Sequence, residues 1–75
     1  MVEVLSKNSC VQCTATYRAL DNNGIEYEVV NMDDNPAALE RAKELGFLQA
    51  PVVIPPVGEA WSGYDPDRIK ALARV

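Results

Sequence analysis

Apolar residues in the first third of the chain form short groups whose spacing predicts a strand, a helix and a second strand. Residues 2–5 and 25–31 alternate apolar and acidic positions or run apolar, which is typical of strands. The apolar or small residues at helical spacing between them are Val11, Ala15, Ala19 and Leu20. Ser9 is the predicted N-cap of this helix, and Gly24 follows its end. A crossover of this length predicts a right-handed parallel unit.

The rest of the chain predicts a helix, two short strands and a last helix. Asn35 and Pro36 suit the N-cap and the first position of the second helix. Its predicted inward residues are Leu39, Ala42 and Leu45. Residues 52–54 are an apolar run that predicts a buried strand, and residues 59–61 predict a minimal last strand. Asp65 is the predicted cap of the final helix, whose inward residues are Ile69, Leu72 and Ala73.

The predicted element order is therefore βαβαββα, which belongs to the α/β class. We expect residues 1–75 to form one domain, since a chain of 75 residues has no room for a second core. The expected architecture is a four-stranded mixed sheet flanked by three helices. Apolar residues make up 48% of the chain and charged residues 24%, as is ordinary for a soluble globular protein.

The charge balance argues against two classes of partner. The net charge is −4, from 11 acidic and 7 basic residues, and no basic cluster is present. Nucleic acid and anionic membrane surfaces are therefore not expected partners. No apolar run approaches the roughly 18 residues needed to span a bilayer, and residues 1–5 are too short for a secretory signal. We expect a cytoplasmic protein and a monomer.

Both cysteines of the chain, Cys10 and Cys13, stand three residues apart where the first helix is predicted to begin. This spacing places them on one side of a helix and suits a disulfide. Unpaired N–H groups and the helix dipole favour a thiolate at Cys10, so it is the predicted nucleophile. Cys13, one turn deeper, is the predicted resolving thiol. Lys7 is the base nearest in sequence and is predicted to add positive potential.

A C-x-x-C pair also occurs in zinc sites, iron–sulfur sites and structural disulfides. The chain has no histidine and no third cysteine, so it cannot supply four nitrogen or sulfur ligands by itself. A disulfide between positions i and i+3 closes too small a loop to stabilise the fold much. In the cytoplasm such a pair is more often catalytic. Thiol–disulfide exchange without a bound metal or cofactor is therefore the favoured chemistry, and a cluster shared between chains remains an alternative.

Pro51 and Trp61 are two further candidates. Pro51 suits the entry to the strand at residues 52–54, and it can also follow a cis peptide bond after Ala50. A cis bond would turn the N–H and C=O of Ala50 outward, towards an extended cysteine-bearing peptide. Trp61 is either a core aromatic or part of a partner surface. Its place before the loop at residues 62–64 favours a surface or loop-ordering role.

Three stretches together resemble the NrdH-redoxins, which are small glutaredoxin-like proteins of the thioredoxin fold with thioredoxin-like activity. They are Cys-Val-Gln-Cys at 10–13, Gln-Ala-Pro-Val-Val at 49–53 and Trp-Ser-Gly-Tyr-Asp-Pro-Asp at 61–67. The resemblance covers essentially the whole chain. It implies a dithiol carrier that receives electrons from NADPH through the flavin of thioredoxin reductase. The carrier would pass them to class Ib ribonucleotide reductase.

The resemblance also implies roles for individual positions. Cys10 would attack, Cys13 would resolve, and Pro51 would be the cis-proline. The surface expected to meet substrates and partners consists of Val11, Gln12, Ala50, Pro51, Trp61, Ser62, Gly63 and Tyr64. Tyr64 and Asp65 depart from the usual Trp-Ser-Gly-Phe-Arg-Pro of the family. The second departure removes a cation but leaves a residue that can cap the last helix.

A glutathione-dependent glutaredoxin on the same fold is the alternative function. Glutaredoxins commonly carry Thr-Val-Pro before the third strand and paired glycines in the later loop. This chain has Gln-Ala-Pro at 49–51 and Ser-Gly at 62–63 instead. We therefore expect thioredoxin reductase, rather than glutathione, to be the electron donor. An iron–sulfur cluster scaffold is a less favoured third function.

Overall fold

Seven elements follow one another in the predicted order in the computed structural model, which describes residues 1–73. They are β1 (Val2–Ser6), α1 (Val11–Asn22), β2 (Tyr27–Asn31), α2 (Pro36–Glu44), β3 (Val52–Ile54), β4 (Trp61–Ser62) and α3 (Pro66–Leu72). The βαβαββα prediction is confirmed. The last two residues of the predicted domain lie outside the described residues.

β1 is an inner strand of a four-stranded sheet with the order β2-β1-β3-β4. It runs parallel to β2, with Ser6 opposite Asn31, and antiparallel to β3, with Val4 opposite Val53. β3 and β4 form an antiparallel hairpin. The predicted mixed sheet is therefore confirmed. Because β1 and β2 are parallel, the segments that follow them leave from the same edge of the sheet.

β2 begins at Tyr27, two residues later than predicted. The Ile25 N–H donates to the Leu20 carbonyl at 3.0 Å, so residue 25 still belongs to the turn that ends α1. Gly24 in this turn has a φ of +66°, a left-handed conformation that an L side chain rarely adopts. The predicted stop signal after α1 is therefore correct, and the chain needs two more residues to reach the sheet.

β4 is Trp61–Ser62, rather than the predicted residues 59–61. Trp61 pairs with Val53, and Ser62 pairs with Val52. The residue after β3 is Pro55, which has no N–H with which to continue the ladder. Pairing between the two strands therefore stops early, and residues 59–60 stay in the connection.

The core lies on both faces of the sheet, because successive side chains of β1 and β3 point to opposite sides. Val4 and Val53 face the first side, where the buried cluster consists of Val2, Val4, Leu20, Val53, Trp61 and Ile69. Leu5 and Val52 face the second side, where the buried cluster consists of Leu5, Met32, Ala38, Ala42 and Val52. The helices α1 and α3 therefore cover one face, and α2 covers the other.

The inward face of α1 differs from the prediction at its first residue. The buried residues of α1 are Cys13, Thr16 and Leu20, which follow the i, i+3, i+7 spacing of one helical stripe. Val11 lies off this stripe and its side chain is 84% exposed. The placement of Val11 on the buried face was wrong, because the stripe that meets the sheet is centred on Cys13 and Thr16.

Two other inward residues were also wrongly placed. Leu45 is the C-cap of α2 and is 45% exposed, whereas Ala38 and Ala42 are buried and Leu39 is half-buried. The buried stripe of α2 is thus centred on Ala38 and Ala42, and Leu45 lies at the C-cap, outside the helix itself. Ala73 is exposed at the end of α3, while Ile69 is buried as predicted.

Asn35 and Asp65 cap their helices as predicted. The Asn35 Oδ1 accepts from the Ala38 N–H at 3.2 Å, and the Asp65 Oδ1 accepts from the Arg68 N–H at 3.1 Å. In each case a proline follows in the first turn, where its missing N–H costs no helical hydrogen bond. None of the helices within residues 1–73 combines the length and the apolar character needed to cross a bilayer.

Candidate active site

Cys10 is the N-cap of α1, with an extended backbone at φ −108° and ψ 105°. Its Sγ accepts a hydrogen bond from the Cys13 N–H at 3.0 Å. The prediction of Ser9 as the cap was wrong, because α1 begins at Val11 and the cap is the residue before it. Ser9 instead has a φ of +54° and turns the chain into the helix. The sulfur of Cys10 therefore occupies the place where a helix stabilises negative charge.

Cys10 and Cys13 are joined by a disulfide, with their Cα atoms 5.2 Å apart. The two residues differ in exposure, since Cys10 is half-buried and Cys13 is only 2% exposed. A sulfur of a partner protein can therefore approach Cys10, while Cys13 lies beneath Cys10, within reach of its sulfur. This arrangement fits an attacking Cys10 and a resolving Cys13, and the two roles remain predictions from the sequence.

The dithiol opens onto a shallow groove of about 440 Å³, which we call the dithiol groove. Its lining residues are Lys7, Asn8, Ser9, Cys10, Val11, Gln12, Leu48, Gln49 and Ala50. The Ala50–Pro51 peptide bond is cis, as predicted. Pro51 is buried and Ala50 is half-buried, so Ala50 is the member of this pair that faces the groove.

Lys7 is the residue for which the sequence predicts an electrostatic effect on the dithiol. Lys7 and Cys10 line the same groove, and the Lys7 side chain is exposed. Within residues 1–73, Lys7 takes part in none of the ion pairs, which join other residues. Its charge is therefore not neutralised by a contact with a carboxylate. The effect of Lys7 on the thiolate remains a prediction.

A polar cluster that the sequence analysis missed holds the segment before Cys10. The Asn8 N–H donates to Asp33 Oδ2 at 2.9 Å, and the Asn31 Nδ2 donates to Asn8 Oδ1 at 2.7 Å. The Asp33 N–H closes the cluster by donating to Asn31 Oδ1 at 2.8 Å. The parallel pairing of β1 with β2 was a usable signal, because it places the residues after both strands at one edge.

The end of β4 and the loop after it form hydrogen bonds with the segment before β3 and with the start of α1. The Ser62 hydroxyl donates to the Gln49 carbonyl at 2.7 Å, and the Gly63 N–H donates to the Pro51 carbonyl at 2.8 Å. The Tyr64 N–H donates to the side-chain oxygen of Gln12 at 3.0 Å. The structure thus brings together most of the predicted partner surface: Val11, Gln12, Ala50, Pro51, Ser62, Gly63 and Tyr64.

Gly63 allows this close approach. Its φ is +91°, and a Cβ on it would lie 3.3 Å from the side-chain oxygen of Gln12. Glycine therefore suits this position on two grounds, its backbone conformation and the space beside it. Gln12, which the sequence analysis assigned to partner binding, also positions the loop after β4.

Trp61 does not belong to the exposed surface, and the preference for that role was wrong. Its side chain is 7% exposed and packs in the cluster with Val53 and Ile69. β4 turns residue 61 towards the helices, because its partner Val53 faces that side. The Arg68 guanidinium lies 5.7 Å from the centre of the indole ring, and its Nε is 3.4 Å from Asp65 Oδ2. The role of Trp61 in ordering the loop after β4 stays a prediction, and the buried side chain is compatible with it.

No group of three His, Cys, Asp or Glu side chains within residues 1–73 is arranged to hold a metal ion. The two cysteines are a redox-active pair at the dithiol groove. What this geometry can do is thiol–disulfide exchange, in which a thiolate displaces a thiolate from a disulfide.

Comparisons with known proteins agree with this geometry. Residues 2–56 match the glutaredoxin family. The chain is 44% identical to the glutaredoxin-like protein NrdH of Escherichia coli K12 over 72 residues, which cover 95% of this chain and 86% of the relative. The chain belongs to the glutaredoxin family. It is an NrdH-type member, with a thioredoxin-like fold and a redox-active Cys10–Cys13 pair.

Two further comparisons support the NrdH assignment. The glutaredoxin-like protein NrdH of Lactococcus lactis strain IL1403 is 37% identical over 73 residues, covering 97% of this chain and all of the relative. The solved structure of NrdH-redoxin from Escherichia coli superposes with a TM-score of 0.89 at 44% identity, covering 95% of this chain and 92% of the other. The resemblance and the fold class inferred from the sequence are therefore confirmed. A thiol–disulfide oxidoreductase is the enzyme class that fits this family and this site.

Proposed function

We propose that this NrdH-type protein is a dithiol electron carrier, reduced by thioredoxin reductase and oxidised by class Ib ribonucleotide reductase. The observation that carries the proposal is the unequal exposure of the two sulfurs at the start of α1. Cys10 is open to the dithiol groove, and Cys13 is buried behind it. The structure of the related NrdH-redoxin from Escherichia coli is described as the basis of a thioredoxin-like activity profile.

The reaction balances as a two-electron exchange. The Cys10 thiolate attacks one sulfur of the partner disulfide. The S–S bond of the partner breaks, and a mixed disulfide forms between Cys10 and the attacked sulfur. The other sulfur of the partner leaves as a thiolate and takes up a proton. Cys13 then loses its proton and attacks the Cys10 sulfur. The mixed disulfide breaks, the partner leaves as a second thiol, and the Cys10–Cys13 disulfide forms. Two electrons have passed to the partner, together with one proton from Cys13 and one from the solvent, which had taken the proton of Cys10 when the thiolate formed.

The return step needs a dithiol as reductant. In the proposal, the reduced dithiol of thioredoxin reductase attacks the Cys10–Cys13 disulfide, and NADPH supplies its electrons through the reductase flavin. This chain itself needs no bound cofactor for either half of the cycle. Both NADPH and ribonucleotide reductase belong to the cytoplasm, which is therefore the proposed location.

Two contacts favour thioredoxin reductase over glutathione as the donor. The Tyr64 N–H and the Ser62 hydroxyl, which border the site, already donate to Gln12 and to the Gln49 carbonyl. A small carboxylate-bearing thiol would have to displace these bonds to use the same donors. A protein partner can bind across the groove and leave them intact.

The test follows NADPH oxidation with insulin, and then ribonucleotide reductase, as the disulfide substrate. One arm supplies thioredoxin reductase, and the other supplies glutathione with glutathione reductase. We expect turnover in the first arm and none above background in the second. Turnover with glutathione but none with thioredoxin reductase would make the protein a glutathione-dependent glutaredoxin. Iron and colour in anaerobically purified protein would instead indicate a cluster scaffold.

A further inference from the structure

An apolar pocket of about 220 Å³ opens beside the dithiol groove, and we call it the side pocket. Its apolar lining comes from α2, β3, the residue after β2 and the segment between α2 and β3: Met32, Leu39, Ala42, Phe47, Leu48 and Val52. Met32, Ala42 and Val52 are buried, so they form its floor. The side pocket and the dithiol groove share Lys7, Leu48 and Gln49. A chain lying in the groove therefore passes the mouth of the pocket.

Leu48 marks the border between the two cavities. Its side chain is 84% exposed and lies in the segment before the cis Ala50–Pro51 bond. Within residues 1–73, the main-chain N–H and C=O of Ala50 take part in none of the turn or loop hydrogen bonds. An extended peptide can pair with these groups next to Cys10. A neighbouring side chain of that peptide would then reach the side pocket.

The charged side chains that line the two cavities are both basic. Lys7 and Lys43 line the side pocket, and none of the 11 acidic residues of the chain lines either cavity. Lys43 lies 3.8 Å from Glu40, but both side chains are more than half exposed, and such pairs contribute little. Asp33 approaches the groove only through its bond with the Asn8 N–H. In a chain of net charge −4, this face is therefore locally basic.

We propose that the side pocket selects the disulfide substrates of this protein. The preferred substrate is a protein segment in which a large apolar side chain and an acidic residue lie within a few residues of the target cysteine. The apolar side chain enters the side pocket, and the carboxylate lies near Lys7 and Lys43. This inference rests on the proposed function, since it names the class of substrate on which the dithiol acts.

The test uses four short peptides of one length, each with its cysteine joined in a disulfide to the same coloured aromatic thiol. They combine Leu or Ser at one neighbouring position with Asp or Lys at the next. Reduced protein attacks the peptide sulfur and releases the aromatic thiolate, so the colour gives the rate constant. We expect the Leu-Asp peptide to react about 10-fold faster than the Ser-Lys peptide. The part of this preference due to charge should shrink as salt is added.

Single substitutions separate the preference for an apolar side chain from the preference for an acidic one. Lys43→Gln should lower the preference for Asp over Lys, and Leu48→Ser should lower the preference for Leu over Ser. Lys70→Gln is the matched control, because Lys70 is an exposed lysine on α3 that lines neither cavity. Comparing peptides within one variant cancels any general change in thiol reactivity. A thermal unfolding curve for each variant checks that the fold is kept.

Three results would overturn the inference and leave the proposed function standing. They are equal rates for all four peptides, a faster reaction with the Lys peptides, and a glutathione mixed disulfide that reacts as fast as the Leu-Asp peptide. A preference that survives both Lys43→Gln and Leu48→Ser would also contradict it. Failure to reduce any of the disulfides would refute the proposed function itself.

Discussion

Gln12 and Tyr64 are 52 positions apart in the sequence, yet the Tyr64 N–H donates to the side-chain oxygen of Gln12 at 3.0 Å. Gln12 lies between the two cysteines, and Tyr64 lies in the loop after β4. The hydrogen bond therefore links the dithiol helix to the loop that borders the same site. It gives the residue between the cysteines a structural role besides its predicted contact with a partner.

Gln12→Met should loosen this loop without changing the size of the side chain much. Loss of one hydrogen bond of about 1 kcal/mol predicts roughly five-fold faster amide exchange at Tyr64. Gln12→Glu keeps an acceptor at the same place and should retain the protection. Amide hydrogen exchange at Tyr64, measured by NMR in the wild type, Gln12→Met and Gln12→Glu, tests this prediction. Equal exchange at Tyr64 in the wild type and Gln12→Met would mean that the bond does not hold the loop.

Asp65→Ala should destabilise the protein by about 1 kcal/mol, because it removes the cap that accepts from the Arg68 N–H. It also removes the contact between Asp65 and the guanidinium that lies over Trp61. Asp67→Ala is the control, since Asp67 is an acid in the first turn of the same helix but not its cap. Urea denaturation gives the free energies of unfolding. Equal losses for both variants would contradict a specific capping role.

The Asp65 cap could be predicted from the sequence, whereas the Gln12–Tyr64 hydrogen bond could not. Asn35-Pro36 and Asp65-Pro66 are local signals, because a cap and its helix are adjacent in the chain, and both were read correctly. The Gln12–Tyr64 contact depends on how the β3–β4 hairpin packs beside α1, and no local pattern encodes it. Trp61 was misplaced for the same reason, since its burial follows from its pairing with Val53.

The cysteines and Pro51 were found from the sequence because their chemistry is specific to residue type. Disulfides form only between cysteines, and a spacing of three residues at a helix start suits the bond. A cis peptide bond has a low energetic cost only before proline. The side pocket was missed, because its lining comes from α2, the segment between α2 and β3, the start of β3, and the residues that follow β1 and β2. The exposed position of Leu48 could not be predicted from the sequence, since an apolar residue before β3 is equally compatible with a place in the core.

Lys7→Gln should shift the alkylation of Cys10 in the reduced protein to higher pH, because a positive charge beside the groove favours the thiolate. The shift should be smaller at high salt. Lys70→Gln serves as the charge-matched control. Alkylation rates measured against pH give the midpoint for each protein. Identical pH profiles for the wild type and Lys7→Gln would show that Lys7 does not stabilise the Cys10 thiolate.

Tyr27 should make stability depend on pH in the alkaline range. Burial, followed by the nearby Asp21 carboxylate, raises the pKa of Tyr27 above its usual value near 10. The folded protein therefore holds this proton more tightly than the unfolded chain does. The resulting stability is fully present below the unfolded pKa and is lost as the pH rises through the folded pKa.

Tyr27→Phe should flatten this alkaline loss of stability, whereas Tyr64→Phe, at an exposed tyrosine, should leave it in place. Urea denaturation at several pH values between neutral and strongly alkaline measures the effect. An equally steep loss in Tyr27→Phe would assign the alkaline sensitivity to other groups.

The central claim is that Cys10 attacks and Cys13 resolves, and trapping tests it most directly. Cys13→Ser, incubated in reduced form with oxidised insulin, should accumulate a mixed disulfide, and mass spectrometry should locate it at Cys10. Cys10→Ser should form no such adduct and should not turn over with thioredoxin reductase. Full turnover of Cys13→Ser without a trapped intermediate, or an adduct at Cys13 in Cys10→Ser, would contradict the account.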